Sequence, residues 1–489
     1  MDLGYEAIIG LEVHVQLLTN SKMFCACRNE YGGIPNSRTC PVCLALPGAL
    51  PVVNSEAIRM AIAMGLAIDG TITERSEFFR KHYFYPDLPK GYQITQGPVA
   101  AVCNGCIHIT GDKKVRGSSE KVSVRVERIH LEEDSGKSNH DMCDGVSCVD
   151  LNRAGVPLLE IVSAPDLRSG QEAYDYLKVI YGLVTFLGIC NGSLEEGSFR
   201  CDANISVHRP GQPVGVRVEV KNINSFRFVK MAVEHEINRQ IITIDSGGTI
   251  VQETRGWDAE RGVTNSQRGK ETAMDYCYFP EPNLPVLVIS NEEIEAVRRS
   301  LPELPKIKTD RFISQYGLTS YEAGMLVQSP AFADFFEAAA QNCQGKQVAN
   351  WMLGEVSRAI NNIGTDIQSL GLRPQHLAEL IELVQNGTIS LNMAKETVFP
   401  AVLADGKRPM DIVIQLGLNQ ISDHGQLKVI ILDVIDGNYE QLKKYLEGRE
   451  NVKDFFIGQV MKRGGGKINP IVARDILEQE LKARKSNAM

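Results

Sequence analysis

The sequence predicts an α+β protein, with an antiparallel sheet and helices in its N-terminal part and helices alone in the rest. Up to about residue 290, short segments alternate apolar and polar residues between Gly, Pro and Asn. From residue 291 the apolar residues recur at helical spacing. Proline-containing breaks at 301–305 and 405–409 divide the helical part. We therefore expect domains at 1–292, 293–404 and 405–489.

Four segments of the first part alternate in the way that half-buried strands do, with successive side chains on opposite faces. Their polar positions carry carboxylates, His, Asn and Arg. The sets are Glu12, His14 and Gln16; Arg128, His130 and Glu132; Arg200, Asp202, Asn204 and Ser206; and Arg217, Glu219 and Lys221. A solvated sheet face is the simpler explanation for one strand. The unusual mixture in four strands favours an active-site floor.

The last two of these segments predict a hairpin from about Arg200 to Lys221, with its turn at 209–213. Because a slip of one residue would bury the charges, side chains of the same face must oppose each other. We expect Asp202 to face Glu219 or Lys221. The apolar side should carry Val216, Val218 and Val220.

The helical part begins at 291–299, where Asn291 as the cap, an acidic first turn and a basic end suit the helix dipole. Further along, residues 374–384 form a second predicted helix. Its apolar face carries Leu377, Leu380, Ile381 and Val384.

The polar set on the predicted sheet suits phosphoryl transfer. Carboxylates with a His can hold Mg²⁺ through oxygen ligands and waters, and Arg and Lys can bind phosphate oxygens. Such catalysis consists mostly of positioning and charge neutralisation. The usual nucleotide loops are absent, since Gly464–Lys467 is followed by Ile468 and lacks the first Gly of a Walker loop.

The cysteines predict a metal site. Cys25, Cys27, Cys40 and Cys43 form a C-x-C and a C-x-x-C pair, which can close a tetrahedral, structural Zn²⁺ site. The alternative is chance clustering of core cysteines. A second site from Cys103, Cys106, Cys143 and Cys148 is the weaker interpretation, against unliganded thiols.

Composition excludes several classes. The 489 residues are 43% hydrophobic with a formal charge of −8, so the chain is neither disordered nor a general polyanion binder. Twelve cysteines are too sparse for a disulfide scaffold. No apolar run is long enough for a membrane span, and the acidic start predicts a cytoplasmic protein.

Two local features nevertheless favour RNA. Residues 80–93 interleave basic and aromatic residues, as in proteins that hold single-stranded RNA ends, although a loop packing its own aromatics would look the same. Residues 461–489 are basic within an acidic chain, which is typical of a polyanion contact or of a solvated helix end. There, Gly464–Gly466 predicts a flexible loop, and Asn469 with Pro470 predicts a helix start.

Several motifs together resemble the B subunits of aspartyl/glutamyl-tRNA(Asn/Gln) amidotransferases. They are residues 9–15, 40–43, 80–93, 130–134, 152–160, 200–204, 220–226 and 252–257. The resemblance implies a cradle domain, a helical domain and a YqeY-like, tRNA-binding tail. It also implies ATP- and Mg²⁺-dependent phosphorylation of the side-chain carboxylate of Glu-tRNA(Gln), Asp-tRNA(Asn) or both. Ammonia from an amidase A subunit then displaces the phosphate, and a small C subunit completes a heterotrimer.

The resemblance also assigns roles to residues. The Mg²⁺ ligands would be Glu12, His14, Glu132 and Glu133, and Lys81, Asp202 and Asn204 would complete the catalytic set. Binding of nucleotide and of the tRNA end would involve Arg80, Lys81, Lys90, Arg200, Glu219 and Lys221. The chain departs from the family at Cys277 and Asn283, where the family usually has Arg and Asp. The joint loss of a basic and an acidic residue fits the loss of a structural ion pair.

Two other functions compete with this interpretation. The chain could be a tRNA-binding scaffold whose activation chemistry lies elsewhere. It could also be a zinc-dependent hydrolase, but that activity needs an open metal position, and four cysteine ligands leave none.

Overall fold

The computed structural model describes residues 4–143, 145–269, 276–418, 424–446, 448–464, 468 and 470–487. The chain divides into two compact units, Met1–Pro305 and Lys306–Met489. The finer division at 292 and 404 stays a prediction.

The first unit contains all the strands of the described residues, together with five of their helices. The strands are β1 (Glu6–Gln16), β2 (Thr71–Ile72), β3 (Arg75–Ser76), β4 (Phe78–His82), β5 (Tyr92–Gln96), β6 (Val102–Thr110), β7 (Lys121–Glu133), β8 (Lys137–Cys143), β9 (Val146–Asp150), β10 (Pro157–Ser163), β11 (Phe199–His208), β12 (Val218–Ile223), β13 (Glu253–Asp258), β14 (Val263–Gly269), β15 (Cys277–Pro280) and β16 (Leu287–Val288). The helices are α1 (Ser55–Ala67), α2 (Lys113–Arg116), α3 (Gly170–Phe186), α4 (Phe226–Asp245) and α5 (Asn291–Ser300).

Twelve of the described strands form one sheet. Ten of them follow the order β14-β13-β12-β11-β1-β10-β7-β5-β4-β15. The other two are β6, which also pairs with β7, and β2, which pairs with β6. The pairs are antiparallel as predicted, except that β12 and β13 are parallel. This exception follows from α4, which connects those two strands as a crossover helix.

The two faces of the sheet differ sharply. On β1 the side chains of Ile9, Leu11 and Val13 are at most 1% exposed, and they pack in one core with residues of α1, α3 and α4. Each fully buried aliphatic side chain of this kind contributes about 1.5–3 kcal/mol. The helices therefore cover the apolar face, and the alternate side chains form the opposite, polar face.

The predicted hairpin is confirmed in the face that its charges share and wrong in its length. Its register shifts at Asp202, between Cys201 and Ala203, but Asp202 still contacts Lys221. Asn204 lies opposite Glu219 and Ala203 opposite Val220, so the charges share one face. However, β12 begins only at Val218, so Val216 and Arg217 precede the strand, and Val216 is exposed. The Pro and Gly residues of the turn region keep this segment out of the ladder.

The predicted helix at 291–299 is confirmed as α5, with its acidic first turn and basic last turn. Its cap is Ser290 instead of Asn291, because Ser290 and Glu293 form a reciprocal capping box.

The second unit is helical in its described residues, as predicted. Its helices are α6 (Pro305–Tyr316), α7 (Ser320–Leu326), α8 (Pro330–Ala340), α9 (Gly345–Trp351), α10 (Ser357–Ile363), α11 (Pro374–Gln385), α12 (Leu391–Met393), α13 (Phe399–Asp405), α14 (Pro409–Leu416), α15 (His424–Asp436), α16 (Tyr439–Leu446), α17 (Val452–Arg463) and α18 (Pro470–Asn487), with π-helical turns at Met352–Val356 and Ala394–Val398. The last four share a core that includes Leu427, Phe456 and Leu477.

The tail matches its predicted pattern where it is described. Helix α18 begins at Pro470, as expected, while Gly465, Gly466 and Asn469 lie outside the described residues. No described helix has the length and apolar character needed to cross a lipid bilayer.

Candidate active site

The polar residues of neighbouring strands share one face because the register places them opposite each other. His14 lies opposite Glu160 of β10 and opposite Arg200 of β11. Glu160 in turn lies opposite His130 of β7. Directly opposed side chains in an antiparallel pair lie on the same side of the sheet, so four strands contribute to one continuous polar face.

At the centre of this face, two carboxylates surround His14. Its Nε2 atom lies 3.7 Å from Oε1 of Glu132 and 3.8 Å from Oε1 of Glu160. The other carboxylate oxygen of Glu160 is 3.4 Å from Nδ1 of His130. The structure thus brings together His14 and Glu132, two of the four predicted Mg²⁺ ligands, and adds Glu160 between the two imidazoles.

A second group of polar side chains continues the face across β1, β11 and β12. Asn204 donates from Nδ2 to Oε1 of Glu12 at 2.8 Å. Lys221 lies between two carboxylates, 2.7 Å from Oδ2 of Asp202 and 3.4 Å from Oε1 of Glu219. The Oδ1 atom of Asn204 is buried without a hydrogen-bond partner, which leaves a carbonyl oxygen available to a ligand.

Burial and crowding of like charge shift the pKa values on this face. Burial and the adjacent Glu160 raise the pKa of Glu132 to about 7, and the same two causes raise the pKa of Glu12. Burial would also raise the pKa of Glu160, but its hydrogen bond with His130 and the charge of His14 lower it to about 2. These carboxylates repel one another, so a bound cation would be stabilised here.

Glu133 has contacts of its own. Its Oε2 atom is 2.5 Å from Nζ of Lys90, and its Oε1 atom accepts the backbone N–H of Ile94 at 2.9 Å. Successive strand residues point to opposite faces, and the placement of Glu133 at the same ion as Glu132 stays a prediction. The structure pairs Glu133 with Lys90, another predicted site residue.

The two basic residues of β4 have different environments. Arg80 forms a bidentate ion pair with the buried Glu281, from Nε at 2.6 Å and from Nη2 at 2.8 Å. Its guanidinium carbon lies 4.4 Å from the ring centre of Tyr92. Lys81 lies opposite Gln93 of β5. Although burial opposes its charge, Tyr278 and Glu132 nearby raise the pKa of Lys81, so this side chain stays cationic beside the polar face.

Glu160 is the residue that sequence reasoning missed, although it lies in one of the motifs that carry the family resemblance. Its strand, Pro157–Ser163, has buried apolar residues on both sides of Glu160. The sequence did contain a signal for Glu160: a single carboxylate inside an otherwise apolar strand indicates a polar partner on a neighbouring strand, because a buried charge needs a partner. Thr254 was also missed, and it donates from Oγ1 to Oε2 of Glu219 at 2.9 Å.

The four predicted zinc ligands lie together. Among the described residues, Cys25, Cys27, Cys40 and Cys43 are the one group of three or more possible ligands whose donor atoms all lie within 4.8 Å. The hydrogen bond from Cys25 lowers the pKa of the Cys43 thiol to about 5, and four thiols suit a closed Zn²⁺ site. The carboxylates around His14 form no such compact group.

The cysteines of the weaker, second predicted site are not grouped in this way. Cys103, Cys106 and Cys148 are half-buried and belong to no such group among the described residues, and the side chain of Cys143 lies outside the described residues. Cys277 is exposed on β15 opposite His82. The backbone N–H of Asn283 donates to Glu281, the partner of Arg80.

A cavity of about 660 Å³ opens beside the polar face. The residues around it include Gln16, Arg153, Arg200, Asp202 and Asn222. Segment 29–32, which follows the first zinc cysteines, forms part of its wall. A cavity of this size can hold a ligand of the dimensions of a nucleotide.

Three arginines of the basic tail pair with acidic residues that lie before it in the chain. Arg463 contacts Asp433, Arg484 lies 2.5 Å from Asp436, and Arg474 lies 3.5 Å from Asp454. The acidic partners precede the basic stretch, so its local charge is smaller than its own sequence indicates.

Comparison with known proteins agrees with this arrangement. The family model described as the GatB/GatE catalytic domain matches residues 7–295, and a GatB domain model matches residues 334–481. The chain is 51% identical to the B subunit of the aspartyl/glutamyl-tRNA(Asn/Gln) amidotransferase of Geotalea daltonii over 484 residues, covering 98% of this chain and all of that protein. It is 48% identical to the protein of the same name from Myxococcus xanthus over 481 residues, covering 98% of each. The chain therefore belongs to the GatB/GatE family.

Proposed function

We propose that this chain is the B subunit of a tRNA-dependent amidotransferase, and that its polar sheet face activates the amino acid carried by a tRNA. The substrate is Glu-tRNA(Gln), Asp-tRNA(Asn) or both. An oxygen of the side-chain carboxylate attacks the terminal phosphorus of ATP, and ADP leaves. Ammonia, released from glutamine by an amidase A subunit, then attacks the acyl phosphate, and inorganic phosphate leaves. A small C subunit completes the heterotrimer.

The observation that carries this proposal is the continuous face of carboxylates, imidazoles and cations on the sheet of a chain of this family. Lys81 and Lys221 lie toward its two sides, and both have a raised pKa. Fixed cations of this kind can pair with phosphate oxygens and with the attacking carboxylate. The protein thus contributes positioning and charge, which is most of what phosphoryl transfer requires.

The donor set on this face fits a hard divalent cation. Carboxylate oxygens predominate, and the free Oδ1 atom of Asn204 adds a neutral oxygen. Glu12, His14 and Glu132 would hold Mg²⁺ together with Glu160, in part through waters, because Mg²⁺ dehydrates reluctantly. When bound, Mg²⁺ neutralises negative charge on the phosphates. Glu133 would act on this site through its pair with Lys90.

The test is to reconstitute the chain with an amidase partner and to measure ATP-dependent phosphate transfer to Glu-tRNA(Gln) and to Asp-tRNA(Asn). His14→Ala should abolish the transfer and leave glutamine hydrolysis by the partner. His208→Ala is the matched control, since His208 lies at the far end of β11 from Arg200, opposite Glu6 of β1, and transfer should persist. If His14→Ala weakened only tRNA binding, the chain would be a tRNA-binding scaffold.

A further inference from the structure

A buried carboxylate, Asp134, connects three segments at the edge of the cavity. It follows β7 and is 5% exposed. Its Oδ2 atom accepts the side-chain amide of Gln16 at 2.8 Å. The same oxygen lies 3.1 Å from Nη2 of Arg200 and 3.6 Å from Nε of Arg153. Asp134 thus holds two arginines that come from different parts of the chain.

Further contacts hold the two arginines in place. Arg153 also donates to the backbone oxygens of Ser135 and Gly136, at 2.9 and 2.6 Å. Nη2 of Arg200 lies 3.1 Å from Asp134, and a guanidinium group has five N–H donors. The two guanidinium groups share this carboxylate, the charges of Asp202 and Glu132 also act on Arg200, and both arginines line the cavity of about 660 Å³.

Four of the five acidic residues that line this cavity have partners of their own, and Glu195 is the fifth. Asp202 pairs with Lys221. Asp150 accepts two backbone N–H groups, each at 3.0 Å. Glu30 lies 3.2 Å from Nη2 of Arg28, and Glu196 accepts the side-chain amide of Asn191 at 2.8 Å. These contacts reduce the competition that a bound anion would meet.

We propose that Arg153 and Arg200 form a phosphate-binding subsite in this cavity, with Asp134 as the positioning residue that holds both guanidinium groups. A guanidinium fork matches the geometry of phosphate oxygens, and a fixed fork loses little entropy on binding. The inference rests on the proposed function, in which two substrates, ATP and the tRNA, both carry phosphate.

The first test replaces the carboxylate by an amide of the same size, Asp134→Asn, in the reconstituted enzyme. The KM for ATP and the KM for aminoacyl-tRNA are measured separately. Because misplaced binding groups weaken productive binding, one of the two should rise roughly tenfold or more, with kcat changed by less than about twofold. The KM that rises identifies the source of the phosphate.

The matched control is Asp166→Asn. Asp166 also forms a two-pronged pair with an arginine, Arg125, at 2.9 and 2.7 Å, but neither residue lines the cavity. Both KM values should stay at those of the unsubstituted enzyme. This control separates the subsite from the general loss of an aspartate–arginine pair.

The subsite is overturned if both KM values of Asp134→Asn stay within twofold, or if kcat alone falls. If Asp134→Asn does not fold, Arg200→Lys replaces it, since it keeps the charge and removes the fork. The same rise in KM is then expected, and an unchanged KM overturns the proposal.

Equilibrium binding of ATP and of tRNA to the unsubstituted and substituted chains completes the test. It needs no turnover. If phosphate transfer were absent altogether, the proposed function would fail, yet the binding data would still decide the subsite. Weaker binding of either ligand to Asp134→Asn supports it, and equal binding of both overturns it.

Discussion

Glu172 ties the first turn of α3, a helix under the polar face, to the connection between β6 and β7. The side chain is fully buried. It accepts two hydrogen bonds from Arg116, at 2.5 and 2.9 Å. It also accepts the backbone N–H groups of Asp112 at 3.1 Å and Arg168 at 2.9 Å. We predict that Glu172→Gln destabilises the first unit without touching the polar face.

The magnitude follows from these contacts. An amide of the same size keeps one acceptor oxygen, so about half of the hydrogen bonds are lost, each worth about 1.5–3 kcal/mol to a charged group. Breaking a buried ion pair costs about 3–5 kcal/mol. Arg116 remains 28% exposed and can be rehydrated, which favours the lower end, about 3 kcal/mol. At roughly 2 °C per kcal/mol for a unit of this size, Tm should fall by about 6 °C.

The fall in Tm caused by Glu172→Gln should be smaller at acidic pH than at neutral pH. Burial opposes ionisation of Glu172, but Arg116 and the backbone N–H groups lower its pKa below the ordinary value. A lowered pKa adds stability above the pKa of the unfolded chain, and that stability is lost as the pH falls through the folded pKa. The difference in Tm between the two proteins should therefore be full at pH 7 and should shrink below about pH 4.

Thermal unfolding followed by fluorescence at several pH values measures both effects. Glu56→Gln is the matched control, because Glu56 forms an exposed pair with Arg59, and exposed pairs contribute about 0–1 kcal/mol. Equal Tm losses for Glu172→Gln and Glu56→Gln would refute the reasoning about burial. A loss that did not change with pH would refute the reasoning about charge.

Three further predictions concern the site and the tail. Thr254→Val removes the hydrogen bond to Glu219 and should lower kcat/KM for phosphate transfer roughly tenfold, with little change in Tm. Unchanged kinetics would show that this hydrogen bond does not position Glu219. Cys43→Ser should release zinc, measured by metal analysis, and lower Tm more than it lowers kcat per folded molecule, because four cysteine ligands leave no open position. Truncation before Asp405 should raise the KM for aminoacyl-tRNA and flatten the salt dependence of tRNA binding, while glutamine hydrolysis by the assembled enzyme continues. An unchanged KM and an unchanged salt slope would assign the tail to subunit contacts instead.

Alternation alone predicted much of the candidate site, because period-2 patterns fix which side chains share a face. It placed Glu12 with His14, and Asp202 with Lys221, and the structure has these residues on one face. The order of strands could not be predicted in this way. Strand β10 lies between β1 and β7, and this long-range pairing brings Glu160 beside His14.

One expectation failed for a local, physical reason. Val216 belongs to an alternating run, yet the preceding turn delays the strand to Val218. The joint placement of Glu132 and Glu133 at one ion stays a prediction: His14 lies beside Glu132, whereas Glu133, on the next strand position, pairs with Lys90.

The charge balance of the polar face bears on the proposed binding of ATP and tRNA by an acidic chain. Six carboxylates, on Glu12, Glu132, Asp134, Glu160, Asp202 and Glu219, lie with three fixed cations, on Lys81, Arg200 and Lys221. The excess of negative charge repels ATP and tRNA but favours a divalent cation. A bound cation would reduce the repulsion that a phosphate meets on this face, so each should raise the affinity of the face for the other, by the same factor in both directions. In the proposed function, the cations at fixed positions would orient the phosphate and the carboxylates would select the metal.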